Sequence, residues 1–466
     1  MKKIIRGWVL VFIFYMSMGT VYGTNTEALM TEKAFINELL KVSKTGAVLI
    51  TGSDEILTRE KAAVLIVNYL GYEAIAKKQN NLFKDVTSSQ GEISLVSQLG
   101  LMNGLGSGLF QPNGKVTVSQ GSLIINRIKN KLETPITWKH AFYAIQSSSQ
   151  KEWIKGYDAV SFGWSQLERD ANNNFMISIS NTENDFKVPV GFEAPMDFAK
   201  ANGVETYLMV YFENKGMLAK SFLEDELQRA SVISQIVSLS QGMTKDGVTR
   251  AFDGVTIDFE QFLSSDLKGL YNTFIKELKS ALQKEGKKLN VAVQPTLYFK
   301  GYDYKGIGEA ADHIILMAHD YGAITLTELE RQMGITTTPL TPIKEVYDAL
   351  YEAGLSISDK SKIALQFSFA SLQWQSQNNQ VINSRAYTPS YDKIEARLSL
   401  SGSMKHFDHY LQSTYATYEE NGIQNIIWYE DINSIHSKID LAKLMGITSV
   451  SYWRLGIIPE AFNPLS

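Results

Sequence analysis

The last two-thirds of this chain predicts an α/β fold, a (β/α)8 barrel of the TIM type with a small α+β insertion after its seventh strand. Three observations predict it. Short β-rich runs recur at 141–146, 158–167, 204–212, 252–260, 289–299, 312–322, 362–374 and 447–456. Helical segments such as 217–241 and 267–286 lie between them, and eight strands alternating with helices favour closure over an open sheet. The gap from Trp374 to Ile447 exceeds what a strand-to-helix connection needs, which places the insertion at about 375–430.

The chain has 466 residues, 44% hydrophobic and 20% charged, and carries a net charge of -4. That balance suits a large soluble core, and with no lysine- or arginine-rich block it argues against a nucleic-acid partner. Cysteine is absent, which excludes disulfides, thiolate metal sites and a cysteine nucleophile. In "KHFDHY", residues 405–410, His406 and His409 flank Asp408, but the spacing is that of no known zinc motif. Ligands on a helix of the insertion are the alternative; these residues read as surface polar groups, and neither a metal nor a cofactor is expected.

At the N-terminus Lys2, Lys3 and Arg6 precede the apolar run 8–16 and then small residues. This is the layout of a secretory signal over 1–23, too short to span a bilayer comfortably. The expected product is secreted, held at the cell wall or surface, and not inserted in a membrane after cleavage. Residues 24–135 read as helical. Ala63, Ile66, Val67 and Leu70 share one helical face, Thr58 is placed to cap it and Gly71 to end it. The motifs "FKDV" (83–86), "FQP" (110–112) and "LTRE" (57–60) resemble S-layer homology modules. The resemblance implies attachment to an anionic secondary cell-wall polysaccharide, with Arg59 as its ligand, and a spore-associated location is compatible with it. The second unit has "VTVSQ" (116–120) where the corresponding arginine would stand.

The chemistry concentrates in "FDGVTIDFEQF", residues 252–262. Successive strand side chains alternate faces, so Val255, Ile257 and Phe259 pack under outer helices while Thr256, Asp258 and Glu260 point into the barrel. Two carboxylates one pleat apart with no basic partner in the run are costly to bury without a purpose. Gly254 permits a kink that re-aims Asp253 toward the same site.

The run resembles the Asp-Gly-x-Asp-x-Asp-x-Glu signature of glycoside hydrolase family 18, the chitinase family. Residues 302–322, with "MAHDYG", resemble the family's sixth strand, and 426–456 is similar to the branch of spore cortex-lytic N-acetylglucosaminidases. The resemblance covers 136–466. It implies hydrolysis of β-1,4 linkages at N-acetylglucosamine by substrate-assisted retaining catalysis, an exception to the two-carboxylate scheme. Glu260 would be the proton donor, and Asp258 would orient the substrate's acetamide. Asp253, Asp320 and Tyr321 would line the groove, Met317 would floor it, and Trp453 would lie under the reacting sugar. Two positions depart from the pattern: Thr256 replaces the signature's middle aspartate, and His319 replaces a tyrosine. Thr256 is expected to donate a hydrogen bond to Asp258, with a shifted pH profile as the result, and a His319 N–H to take the tyrosine's place on the acetamide. A binding barrel that holds glycan without cleaving it is the alternative, and a structural surface-layer protein the third class.

Overall fold

The computed structural model describes residues 27–465 apart from 182, so the expected signal at 1–23 lies outside the described residues. Trp138–Tyr143, Ala159–Arg169, Glu205–Glu213, Gly254–Glu260, Lys288–Val293, His313–Leu316, Ile363–Ser368 and Ser449–Trp453 form a parallel sheet. The first strand pairs with both the second and the eighth, which closes the barrel. Phe175–Ser178 adds an antiparallel edge to the second strand.

Three boundaries differ from the sequence reading. The first strand is Trp138–Tyr143, not 141–146, because its polar residues have partners in the lumen. His140 sits between Ser451 and Ser161, each at 2.8 Å, and Trp138 stacks on His313 at 3.9 Å. The run 362–374 is two strands: the barrel strand ends at Ser368, and Ser371–Gln377 already belongs to the insertion. The helical run 217–241 breaks at Asp225, whose side chain accepts from Gln228 N at 3.0 Å and caps Glu226–Gln241.

The insertion is a five-stranded antiparallel sheet with the helix Tyr391–Leu398. Met404–Asp408 is one of its strands, so the helix that the alternative metal reading needed at 405–410 is not formed. His406 lies over the Tyr415 ring at 4.7 Å and bonds Thr417 Oγ1 at 2.9 Å, the cross-strand pairing that alternating aromatics favour.

The N-terminal helix Arg59–Leu70 carries the expected cap, with Thr58 accepting from Lys61 N at 3.2 Å and Gly71 left-handed at φ 68°. Ala63, Ile66, Val67 and Leu70 are fully buried. Helices Gln90–Gln98 and Val118–Glu133 follow. The buried residues of this region and those under the barrel helices Ile343–Ser356 and Ile432–Leu444 form one continuous hydrophobic cluster. No helix among the described residues is long and apolar enough to cross a membrane.

Candidate active site

The fourth strand, Gly254–Glu260, builds the site. Val255, Ile257 and Phe259 are fully buried outside the barrel, and Phe259 stacks on Phe274 of the helix Leu267–Lys284 at 5.5 Å. Thr256, Asp258 and Glu260 therefore face the lumen. Gly254 is required by close approach: a Cβ there would lie 2.5 Å from the Tyr207 ring and 2.7 Å from the Lys288 carbonyl oxygen. It does not re-aim Asp253. The Asp253 carboxylate accepts from Thr206 N at 2.8 Å and Thr206 Oγ1 at 3.0 Å, at the N-terminal end of the strand, opposite the cleft. Its assignment to the groove is corrected to a clasp between neighbouring strands.

At the C-terminal ends of the strands lies a cleft of about 610 Å³, lined by Asp258, Glu260, Met317, His319, Asp320, Tyr321 and Trp453 among others. Met317 packs with Phe142, Met209, Ala292 and Ile315 as its floor. Trp453 meets Phe142 edge-on at 5.0 Å and presents an aromatic wall. Asp258 is 3% exposed, and its Oδ1 has no hydrogen-bond partner among the described residues. Burial, reinforced by the neighbouring Glu260, pushes the Asp258 carboxyl well above the usual carboxylate range. Burial also pushes Glu260 up, to about 7; His319 works against that rise, while Glu213 and Asp320 add to it. Each carboxylate thus makes ionisation of the other less favourable.

Thr256 does not reach Asp258. It is fully buried one layer lower, with Oγ1 2.7 Å from Ser161 Oγ, in the chain that runs through His140 to Ser451. Burial, with help from His313, lowers the His140 pKa to about 3, so this lumen layer is neutral. Thr256 is therefore a floor-layer partner of Ser161, and the expected hydrogen bond to Asp258 is corrected.

His319 also departs from expectation. Its Nδ1 is 2.9 Å from Asp320 Oδ2 and its Nε2 2.8 Å from Gln366 Oε1. Both ring nitrogens are thus engaged, and Asp320 favours the protonated ring. Burial opposes that charge, but the Asp320 charge and hydrogen bond, Gln366 and Glu260 outweigh it and raise the pKa. No N–H is left over for a substrate amide. Asp320, at φ 58°, turns its carboxylate back onto the ring. Desolvation in the cleft works against the Asp320 charge, yet the His319 ring holds its carboxyl below the usual range.

Arg59 lies in the N-terminal region. Its Nε donates to Phe110 O at 2.8 Å and one Nη to Asn103 O at 2.7 Å, and the guanidinium covers the Phe110 ring at 4.4 Å. Asp85 completes this clasp by accepting from Phe110 N at 2.9 Å and Gln111 N at 2.7 Å. The guanidinium expected to bind polysaccharide is thus largely engaged within the module.

Tyr211, Gln294 and Gln366 also line the cleft, and the sequence reading did not single them out. Tyr211 pairs in register with Asp258 and stacks on Phe186 at 4.1 Å, while Gln294 Oε1 accepts from Gln261 N at 2.8 Å. The available signal was position: each sits on an inward pleat at or just beyond the C-terminal end of a barrel strand.

Comparison with known proteins matches the same region. The chain is 26% identical over 218 residues to a cortical fragment-lytic enzyme of Bacillus anthracis, covering 44% of this chain and 46% of that protein. It spans about half the length of the curated relatives it matches. The crystal structure of the Bacillus cereus spore cortex-lytic enzyme SleL aligns with a TM-score of 0.56 at 21% identity, covering 70% of this chain and 73% of that one. A family 18 N-acetylglucosaminidase from Paenibacillus barengoltzii aligns with a TM-score of 0.54 at 18% identity, covering 70% and 98%. The S-layer homology domain model matches residues 82–117, and the model of glycosyl hydrolases family 18 matches residues 138–457. With that match over more than half its length, the chain belongs to glycosyl hydrolases family 18.

Proposed function

We propose that the protein is a wall-associated glycosidase that hydrolyses β-1,4 linkages next to N-acetylglucosamine, in peptidoglycan, cortex glycan or a chitin-like polymer, with retention. The observation that carries this reading is the Asp258–Glu260 pair: a buried and a half-buried carboxylate on one lumen face, with no basic partner on Asp258 among the described residues, at the base of an open cleft. The names of the cortex-lytic and N-acetylglucosaminidase relatives support the substrate class.

In this mechanism Glu260 gives its proton to the glycosidic oxygen as the bond to the anomeric carbon breaks. The carbonyl oxygen of the sugar's own acetamide forms the new bond to that carbon, giving an oxazolinium ion. Asp258 accepts the amide N–H at its unpartnered Oδ1 and stabilises the positive charge. Water then attacks the anomeric carbon, Glu260 takes the water's proton, and the acetamide is restored. A carboxyl with a pKa of about 7 suits both steps, because it gives and takes a proton near neutral pH. Trp453 offers the apolar face for the sugar ring. The N-terminal region would tether the enzyme to an anionic wall polysaccharide.

A glycan-binding barrel without turnover is the second reading, favoured by Thr256 and by the fully engaged His319. The test is to incubate the protein and Glu260→Gln with N-acetylated glycan oligomers and peptidoglycan fragments, and to read products by mass. Cleavage by the wild type, reduced on the order of 10³-fold or more in the variant, is expected. Equal product from both removes Glu260 as the acid, and product from neither favours the binding reading.

A further inference from the structure

Glu213 ends the third barrel strand, and its position follows from register. Tyr207 to Glu213 pairs residue for residue with Gly254 to Glu260, which sets Glu213 opposite Glu260. In-register residues of neighbouring parallel strands lie about 4.8 Å apart and project to the same face. A further carboxylate, beyond those of Asp258 and Asp320, therefore stands beside the proton donor.

The contacts around Glu213 hold it there and give it a movable countercharge. Tyr211 Oη donates to its carboxylate at 3.5 Å, and Lys215 Nζ lies at 2.8 Å. Between them Asn214 donates its backbone N–H to Glu260 O at 3.1 Å and its side-chain Nδ2 to Gln261 O at 3.2 Å, so the turn is stitched to the fourth strand. The Glu213 side chain is 33% exposed and that of Lys215 78%, so the lysine can swing away while the carboxylate stays.

We propose that Glu213 is a positioning residue for the hydrolysis described above: its negative charge keeps the proton on Glu260 before delivery, and Lys215 sets how strongly it does so. The other charged or titratable groups facing Glu260 are Asp258 on its own strand, Tyr211 on the third strand, Tyr302 after the fifth, and His319 and Asp320 after the sixth. Of these, only His319 favours ionised Glu260. The fifth strand contributes the uncharged Gln294. On the second strand the Glu168 carboxylate is already occupied, accepting from Gln166 and Asn181 at 2.7 Å each. Glu213 is thus the negative neighbour whose own countercharge sits in solvent. Arrangements of this kind let a surface charge tune a buried acid.

This inference rests on the proposed reaction, but its decisive measurement does not need turnover. The Glu260 carboxyl resonance, assigned by its loss in Glu260→Gln, is titrated by carbon-13 NMR in the full chain. Glu213→Gln is expected to lower the midpoint by about half a pH unit or more. Lys215→Met is expected to raise it by a few tenths of a pH unit, and by less when Glu213→Gln is also present. The high-pH limb of kcat/KM on N-acetylated oligosaccharides should follow the same shifts with KM little changed. An unmoved midpoint in Glu213→Gln, or a lysine effect of equal size with and without Glu213, overturns the proposal. If the protein cleaves nothing, the proposed function fails while the midpoints still decide the role of Glu213. Lys215→Met alters a largely exposed side chain and folds whatever Glu213→Gln does; failure to raise the midpoint is by itself sufficient to refute the inference.

Discussion

Glu260 stores a pH dependence that can be read without substrate. Its carboxyl is raised to about 7 in the fold, chiefly by burial, against about 4.3 in an unfolded chain. Between those values the native state keeps a proton that the unfolded state has released. Stability therefore falls as pH rises from about 4 to about 7 and levels off above that. A glutamine at this position does not titrate. Glu260→Gln should match the wild type near pH 4 and exceed it near pH 8 by about 1–3 kcal/mol, read as a higher Tm. A gain of equal size at both pH values would contradict the raised pKa. The same variant should lose turnover, so stability and activity move in opposite directions at one residue, as expected where a site is organised for chemistry at the expense of stability.

At the scale of elements, the insertion depends on how its last strand is anchored to the barrel. Glu430 follows the strand Ile423–Tyr429, and Lys438 lies on the helix Ile432–Leu444 that leads back to the barrel. Both side chains are essentially unexposed, with Lys438 Nζ 3.3 Å from Glu430 Oε2 and 2.7 Å from Gln412 O. Thr341 Oγ1 donates to the other oxygen of Glu430. Burial lowers the Lys438 pKa even though Glu430 opposes the change. Such a pair adds little net stability but is expensive to break, because the surviving charge is left unpaired. Lys438→Met should destabilise the protein by about 3–5 kcal/mol, and Glu430→Gln in the same chain should restore part of it. Urea titrations that show no recovery in the double variant would exclude the unpaired charge as the cause. The wall of the cleft is held by similar ties: Trp374 Nε1 donates to Thr338 Oγ1 at 2.8 Å and Trp428 Nε1 to Thr336 O at 2.7 Å, which fasten the loop after the sixth strand to the insertion.

Across the whole molecule, the N-terminal helices and the barrel share one core rather than meeting at a wet interface. Polar ties border that core. Tyr347 Oη donates to Gln98 Oε1 at 2.8 Å, Lys131 Nζ to Leu444 O at 2.8 Å, and Thr45 N to Asp440 Oδ2 at 3.0 Å. The turn of the insertion joins in through Gln412, whose Nε2 donates to Gly46 O at 3.3 Å. Continuous apolar burial couples unfolding of the parts. Scanning calorimetry should therefore give a single transition, and two resolved transitions would show that the regions melt separately. A shared core also means that the N-terminal region holds the cleft in a set orientation.

The strand count, the helix Arg59–Leu70 with its caps, and the inward aim of Asp258 and Glu260 were all legible in the sequence, because each follows from a period or a cap within a few consecutive residues. Asp253 was misplaced, and the partners of Thr256 and His319 were misassigned, for the opposite reason. Their partners, Thr206, Ser161 and Gln366, come from other strands, and only the register of the closed barrel sets which end, layer or acceptor each side chain meets. The same holds for Arg59, whose guanidinium is engaged by the Asn103 and Phe110 carbonyls, and for Glu213, which gains significance only from the strand pairing that sets it beside Glu260. Local alternation determined which faces carry the chemistry, whereas contacts between distant segments decided what each charged group is bonded to, since hydrogen bonds and charge interactions act over a few ångströms in space regardless of separation along the chain.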